Sequence, residues 1–226
     1  MKIYLLPGLG FDCRIFDRLD FKGLDVEYIN WIEPQQHENI REYSKRLFHK
    51  LPETEAGSIL IGHSFGGIVA QEIATWKRVE KVILISSVKA RSEIPGYFRI
   101  LKPLKLYKFF TKELSIRTVN YWGPKHDLSN AEVLELFKSM VGRQSNNYLQ
   151  WALKALSAWH APSLPESTPV FQIHGTADKT FPISLIKNPN AVVEGGTHMM
   201  VYKQPDSISE IIREEILSGL QQHTNL

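Results

Sequence analysis

The sequence has little cysteine: its 226 residues include one, Cys13. A single thiol excludes an internal disulfide, and sparse cysteine is typical of proteins kept in a reducing cytoplasm, where we expect this one. We interpret Cys13 as a small hydrophobic residue rather than a nucleophile, because the sequence places no base to activate it.

Long apolar runs are also missing. No stretch approaches the ~18 consecutive apolar residues of a transmembrane helix, and the apolar part of residues 1–7 is too short for a secretory signal. Neither charge sign dominates, since 27 Lys and Arg face 24 Asp and Glu. With no nucleic-acid motif present, this balance argues against a nucleic-acid partner. Residues 87–165 are nevertheless basic, and the remainder is mildly acidic.

Six short apolar runs rich in Val, Ile and Leu predict strands that are covered on both faces, as in parallel sheets. They are Lys2–Leu6, Asp25–Ile29, Ser58–Ile61, Lys81–Ile85, Pro169–Ile173 and Ala191–Glu194. Helical patterns lie between or after them, at Ile40–Leu51, Gly66–Lys77 and Ile208–Leu220. The alternation predicts an α/β fold with a doubly wound, mostly parallel sheet of about six strands.

One interval breaks the alternation. Between Ile85 and Pro169 no convincing strand occurs, and a structureless loop of that length would be unusual. Helical patterns cover four stretches of it: Tyr97–Lys112, Leu114–Tyr121, Ser129–Val141 and Asn146–Ala158. We therefore predict a core made of residues 1–86 and 166–226, with residues 87–165 inserted as a helical cap over a cleft. An ordinary pair of crossover helices with long loops is the alternative.

The most informative motif is Gly62-His63-Ser64-Phe65-Gly66, a G-x-S-x-G pentapeptide between an apolar strand and a helix. This is the context of a nucleophile elbow, a tight turn that holds a serine hydroxyl above the sheet. A serine hydroxyl needs a base to take its proton and a group to orient that base. Two further residues follow predicted strands, Asp178 and His198, and we expect them at the same carboxyl edge as Ser64. Asp127 is a rival acid, although its position favours helix capping.

These motifs identify a resemblance that runs from end to end of the chain. Leu6-Pro7-Gly8-Leu9-Gly10, Gly62–Gly67, His174–Asp178 and Gly196-Thr197-His198 are similar to motifs of the α/β-hydrolase superfamily, in particular of small serine carboxylesterases and thioesterases. The resemblance implies Ser64 as nucleophile, His198 as base and Asp178 as its orienting carboxylate. This chain opens on the strand that larger members count as their third, so we expect a sheet without the first hairpin.

An oxyanion needs backbone donors aimed at its developing charge. The amide of Phe65, the residue after the nucleophile, is one. By position Leu9 supplies the other, with Gly10 as the alternative.

Several side chains are expected to contact the substrate. We predict an apolar pocket lined by Leu9, Trp122, Trp159 and Met199. Lysines recur at helical spacing in the insertion, at Lys102, Lys105, Lys108 and Lys112. A solvated face is the simpler interpretation of them. The functional interpretation is that these lysines attract an anionic substrate, an acidic membrane surface or an acidic carrier protein.

The sequence thus predicts a serine hydrolase that cleaves a small carboxylic ester or thioester through an acyl-enzyme at Ser64, without a metal or organic cofactor. Two alternatives remain. One is a lyase or carbon–carbon bond hydrolase of the same fold, and the other is a catalytically silent ligand-binding member. Oligomeric state is not predicted.

Overall fold

The structure, a computed structural model, describes residues 1–49 and 57–224. Its strands form one six-stranded sheet, in which all neighbours are parallel, in the order β2-β1-β3-β4-β5-β6. They are β1 (Lys2–Leu6), β2 (Asp25–Tyr28), β3 (Ile59–His63), β4 (Lys81–Ile85), β5 (Val170–Gly175) and β6 (Ala191–Val193). The inner strands β1, β3 and β4 are buried almost throughout, as their Val, Ile and Leu content predicts. The predicted α/β class is confirmed.

The strand order determines where a site can form. From β1 the chain first adds β2 on one side and then β3 on the other. Parallel sheets leave a crevice at the carboxyl ends of strands where the winding reverses in this way. The loops that leave β1 and β3 at this point carry Leu9 and Ser64.

Helices pack beside the sheet, and side-chain capping fixes the start of the first of them. They are α1 (Ile40–Phe48), α2 (Phe65–Ala74), α7 (Met200–Lys203) and α8 (Pro205–Thr224). Asn39 and Glu42 form a reciprocal capping box at the start of α1. The predicted extension of α1 to Leu51 falls on residues outside the described ones. None of the helices within residues 1–49 and 57–224 combines the length and apolarity of a membrane span.

Between β4 and β5 the described residues form helices and turns. These are α3 (Gly96–Arg99), α4 (Lys112–Trp122), α5 (Ala131–Gly142) and α6 (Asn146–Ala158). The side chains of Thr111, Asn130 and Ser145 cap the last three, each by accepting from first-turn amides.

The predicted helix over Tyr97–Lys112 is wrong. It breaks into α3, a series of turns and a 3₁₀ turn at Leu106–Phe109. Pro103 explains the break, because proline lacks an amide hydrogen and clashes with the preceding helical turn. Lys105 then takes a left-handed backbone conformation, with φ 55°.

Candidate active site

Ser64 lies in a strained turn between β3 and α2. Its backbone angles are φ 53° and ψ −121°, a region that side-chain-bearing residues rarely adopt. The turn also brings backbone segments unusually close. A Cβ atom on Gly62 would lie 2.4 Å from the backbone of Gly67, and one on Gly66 would lie 2.1 Å from the carbonyl oxygen of Leu6. Glycine at both positions is therefore a steric requirement of the motif.

The hydroxyl of Ser64 points away from the helix that it precedes. Serine before a helix usually accepts from a first-turn amide, but here the side chain makes no such bond. Its Oγ lies 2.9 Å from Nε2 of His198, and Nδ1 of His198 lies 2.9 Å from Oδ2 of Asp178. All three side chains belong to buried residues, exposed by 6%, 7% and 2% respectively. Loops after β3, β5 and β6 thus bring together the three residues that the sequence singles out.

The charge state of Asp178 determines how protons are arranged in this chain of contacts. Burial acts to raise the pKa of Asp178, but the charge and hydrogen bond of His198 and the amide of Phe181 outweigh it, so the pKa is lowered. An ionised carboxylate only accepts hydrogen bonds, so Nδ1 of His198 must donate. In the neutral imidazole Nε2 then carries a lone pair, and Ser64 Oγ donates to it.

Further hydrogen bonds hold the acid and the base in place. Oδ1 of Asp178 accepts from the amides of Thr180 and Phe181, at 2.8 and 3.0 Å. On the other side, Nε2 of His63 donates to the carbonyl oxygen of His198 at 2.9 Å. Burial, with the neighbouring His198, lowers the pKa of His63 to about 3, so this imidazole stays neutral. His63 therefore contacts the backbone of the base rather than the hydroxyl of Ser64.

The loop after β1 packs directly against the serine. A Cβ on Gly8 would lie 3.1 Å from Cβ of Ser64, so the two turns are in close contact. Leu9 follows in this loop, and Phe65 begins α2. Within the described residues neither amide donates to another backbone group. Both residues border the space beside Ser64, where the sequence predicts the oxyanion donors.

A cavity of about 210 Å³ opens beside Ser64 and His198. Of the four predicted substrate contacts, Leu9, Trp122 and Met199 line it. Its other walls come largely from apolar side chains of the segment between β4 and β5: Phe98, Phe110, Leu128, Phe137, Leu149 and Leu153. The segment that interrupts the strand–helix alternation thus covers the carboxyl edge of the sheet at Ser64.

The structure corrects the expectation for Trp159, which does not line this cavity. It follows the carboxyl end of α6 and is 2% exposed. Its Nε1 donates to Oε1 of Glu72 at 2.8 Å. Burial raises the pKa of Glu72, and the Trp159 hydrogen bond opposes that rise by supporting the charged form. Trp159 therefore satisfies a buried carboxylate near the end of α2, away from Ser64.

Sequence reasoning missed His126, which lines the cavity from the inserted segment. Its Nδ1 lies 3.2 Å from Oγ1 of Thr180, two residues after Asp178. Burial and the neighbouring His198 lower the pKa of His126. No motif or spacing marks this residue, because its role depends on how the insertion folds back over the sheet.

Asp127, the rival acid, does not contact the imidazole of His198. Its Oδ2 accepts from Oγ1 of Thr197 at 2.8 Å, and its Oδ1 pairs with Lys203. Asp127 does cap a helix, as expected, but at its carboxyl end and through its backbone. It ends the 3₁₀ turn Gly123–His126 in a left-handed conformation, and its amide donates to the carbonyl oxygens of Gly123 and Pro124. His126 and Asp127 together tie the insertion to the loops that carry the acid and the base.

Cys13 lies outside this site, against another cavity. Burial raises the pKa of its thiol to about 12, which keeps it protonated and unreactive. Within the described part of the chain, no group of three or more His, Cys, Asp or Glu side chains is placed to hold a metal ion.

The parallel sheet, the strained serine turn and the ordered Ser, Asp and His loops together define the α/β-hydrolase class. The chain belongs to the alpha/beta hydrolase family, whose model matches residues 3–211. No match is found among curated proteins.

Solved structures share the fold at low sequence identity. An esterase from Thermogutta terrifontis is 17% identical, with a TM-score of 0.71 over 97% of this chain and 90% of that one. A carboxylesterase from Nitrososphaera gargenis is 18% identical, with a TM-score of 0.70 over 98% and 91%. A hydrolase from Pseudomonas aeruginosa PA01 is 17% identical, with a TM-score of 0.73 over 97% and 89%.

Proposed function

We propose that this protein is a serine hydrolase that cleaves a small carboxylic ester or thioester in the cytoplasm. The observation that supports the proposal is the pair of 2.9 Å contacts that link Ser64 Oγ to His198 and His198 to Asp178 beside an apolar cavity. The family membership agrees with a hydrolase, and two of the structural relatives are described as esterases.

In the acylation step, Ser64 Oγ forms a bond to the substrate carbonyl carbon while its proton moves to Nε2 of His198. The carbonyl oxygen takes up the negative charge between the amides of Leu9 and Phe65. The ionised carboxylate of Asp178 stabilises the imidazolium that results. When the tetrahedral species collapses, His198 gives its proton to the leaving oxygen or sulfur, and the acyl group stays on Ser64.

Water completes the cycle by the same route. His198 takes a proton from water, the hydroxide oxygen bonds to the acyl carbon, and the Ser64 ester bond breaks with return of the proton to Oγ. Every proton in this sequence passes through Nε2 of His198, and no redox or metal step is required.

The cavity favours an apolar, uncharged acyl group. Its polar lining is confined to Ser64, His198, His126 and Thr180, and the lowered pKa of His126 favours a neutral ring. None of the lysines at 102, 105, 108 and 112 lines the cavity, so they do not contact an acyl chain bound there. Placing a carboxylate there without a charge partner would cost several kcal/mol of binding free energy. At about 210 Å³ the space is smaller than the ~300–1,000 Å³ of sites for drug-sized ligands, which suits a short acyl or aryl group.

The test combines labelling with turnover. Wild type should react with a fluorophosphonate and hydrolyse p-nitrophenyl esters and acyl thioesters of short neutral chains, and the acyl-enzyme should appear in intact-protein mass spectra. Ser64→Ala should lose all three properties, whereas Ser129→Ala, at an exposed position, should keep them. Labelling that survives in Ser64→Ala would overturn the assignment of the nucleophile. Ligand binding without any acylated Ser64 would instead favour the lyase or the silent binding member.

A further inference from the structure

Exposed apolar side chains are concentrated in one part of the inserted segment. Among the described residues, seven of the eleven exposed large hydrophobic side chains lie between residues 97 and 121. Two of them are among the most exposed, with Phe109 at 71% and Leu104 at 61%. Apolar side chains that cluster on a surface usually mark an interaction site rather than chance exposure.

The same segment carries charge of one sign. From Ile94 to Lys112 the sequence contains no Asp or Glu, but it contains Arg99, Lys102, Lys105, Lys108 and Lys112. Lys102, Lys105 and Lys108 are exposed and alternate with exposed apolar residues. We call this combined surface the outer cap surface; it comprises Ile100, Lys102, Leu104, Lys105, Leu106, Lys108 and Phe109.

The backbone of this segment is anchored from its inner side. The amide of Lys102 donates to Oγ of Ser157 at 2.9 Å, and Nε2 of Gln150 donates to the carbonyl oxygen of Lys108 at 2.9 Å. Both partners belong to α6. Phe98 and Phe110, at the two ends of the segment, line the cavity beside Ser64. The segment therefore has an inner side that forms the pocket wall and an outer side held towards solvent.

We propose that the outer cap surface binds to an anionic lipid–water interface. Aliphatic and aromatic side chains that protrude between lysines can enter the headgroup region while the ammonium groups remain at the phosphates. Each lysine near an anionic bilayer adds about a fivefold gain in binding. A folded protein partner requires a complementary, closely packed patch, whereas a lipid phase accepts separate protruding side chains such as Phe109 and Leu104. The absence of acids from Ile94 to Lys112 complements an anionic surface.

Binding at this surface would place the pocket close to lipid. Phe98 and Phe110 connect the outer cap surface to the cavity that holds Ser64, so an ester dissolved in the bilayer would have a short path to the hydroxyl. This consequence for the substrate rests on the proposed function, but the lipid binding itself does not depend on it.

The experiment is flotation of the purified full-length protein with vesicles, using Ser64→Ala so that turnover plays no part. Vesicles of phosphatidylcholine alone are compared with vesicles that also contain phosphatidylglycerol, at low and high salt. We expect binding to the anionic vesicles that weakens with salt. The pair K105Q and K108Q should lower the partition coefficient about 25-fold, as two lysines at about fivefold each. The pair L104S and F109S should lower it at least tenfold.

Matched controls separate this surface from general charge and hydrophobicity. The pair K22Q and K45Q removes two exposed positive charges elsewhere, and L217S removes an exposed leucine of α8; each should bind like the parent. The proposal is overturned if the parent fails to float with anionic vesicles, or if K22Q with K45Q weakens binding as much as K105Q with K108Q. A third outcome would also overturn it: the protein does not bind vesicles of either composition but binds an acidic acyl carrier protein, and the K105Q and K108Q pair abolishes that binding. The same surface variants, made in protein that retains Ser64, are labelled with a fluorophosphonate. This labelling tests the proposed serine hydrolase separately from lipid binding.

Discussion

Replacing Asp178 with asparagine tests the proton arrangement at the site most directly. Oδ1 of Asp178 accepts two backbone amides, from Thr180 and Phe181, and Oδ2 accepts from Nδ1 of His198. In the variant the amide oxygen is expected to keep the two backbone bonds, which leaves the NH₂ group facing His198. The imidazole must then offer a lone pair at Nδ1 and carry its hydrogen on Nε2. That hydrogen would point at Ser64 Oγ, so His198 could not act as a base.

The expected loss is large because the wrong tautomer removes the base and the lost charge no longer stabilises the imidazolium. Turnover should fall about 10⁴-fold, as in other Ser-His-Asp sites after this change. At 1.36 kcal/mol for each tenfold change, this corresponds to about 5 kcal/mol of transition-state free energy. KM should change little, because no wall of the cavity is altered.

The assay is hydrolysis of a short p-nitrophenyl ester, with circular dichroism and thermal unfolding as checks of folding. Asp127→Asn is the matched control, since it makes the same change at a nearby carboxylate that contacts Thr197 instead of His198. We expect the control to lose less than about tenfold, because only an indirect contact to the base loop is altered. The reasoning is refuted if folded Asp178→Asn retains more than a tenth of wild-type kcat, or if Asp127→Asn proves the more damaging variant.

Three further predictions concern the surroundings of the site. The pKa of His63 is about 3 in the folded protein against about 6.5 unfolded, so the unfolded state binds the extra proton between these values. Stability should therefore fall as pH drops below about 6.5, by up to about 1.4 kcal/mol per pH unit, and His63→Gln should flatten this slope in urea titrations. Gly66→Ala should cost more than about 3 kcal/mol of unfolding free energy or prevent folding, because its Cβ would lie 2.1 Å from a carbonyl oxygen. The control Gly96→Ala, whose Cβ would have its nearest neighbour at 3.8 Å, should be nearly neutral by thermal unfolding. Trp159→Phe should lower the free energy of unfolding by about 1–3 kcal/mol, because it leaves the buried Glu72 carboxylate without its hydrogen-bond donor. Its kcat/KM should be unchanged. A loss of kcat/KM without a loss of stability would support the interpretation of Trp159 as a substrate contact.

The sheet and the serine turn are predictable from sequence because their causes are local. Buried parallel strands require short Val, Ile and Leu runs, and the six predicted runs match the six strands to within one or two residues at each end. Close backbone approach at the turn requires glycine, so Gly62 and Gly66 mark it in the sequence. Since all strands run the same way, residues that follow them must lie at one edge, which is why Asp178 and His198 could be selected.

The contacts of the inserted segment could not be predicted in the same way, because they join residues that are far apart in the sequence. Apolar side chains at helical spacing are equally compatible with a pocket wall, a packing face and an exposed surface. Trp159 and Trp122 look alike in the sequence, yet one binds a buried glutamate and the other borders the cavity. His126 lies more than fifty residues before the threonine it contacts, and only the folded insertion brings the two together.

The contacts of His126 and Asp127 have a consequence for protein engineering. Exchanging residues 87–165 for the corresponding segment of another hydrolase is an obvious way to transfer substrate preference. Such a chimaera would remove His126 and Asp127, the hydrogen-bond partners of Thr180 and Thr197. The loops that hold Asp178 and His198 would then be less firmly held. A donor segment would have to carry an equivalent His-Asp pair if the graft is to change selectivity without slowing the chemistry.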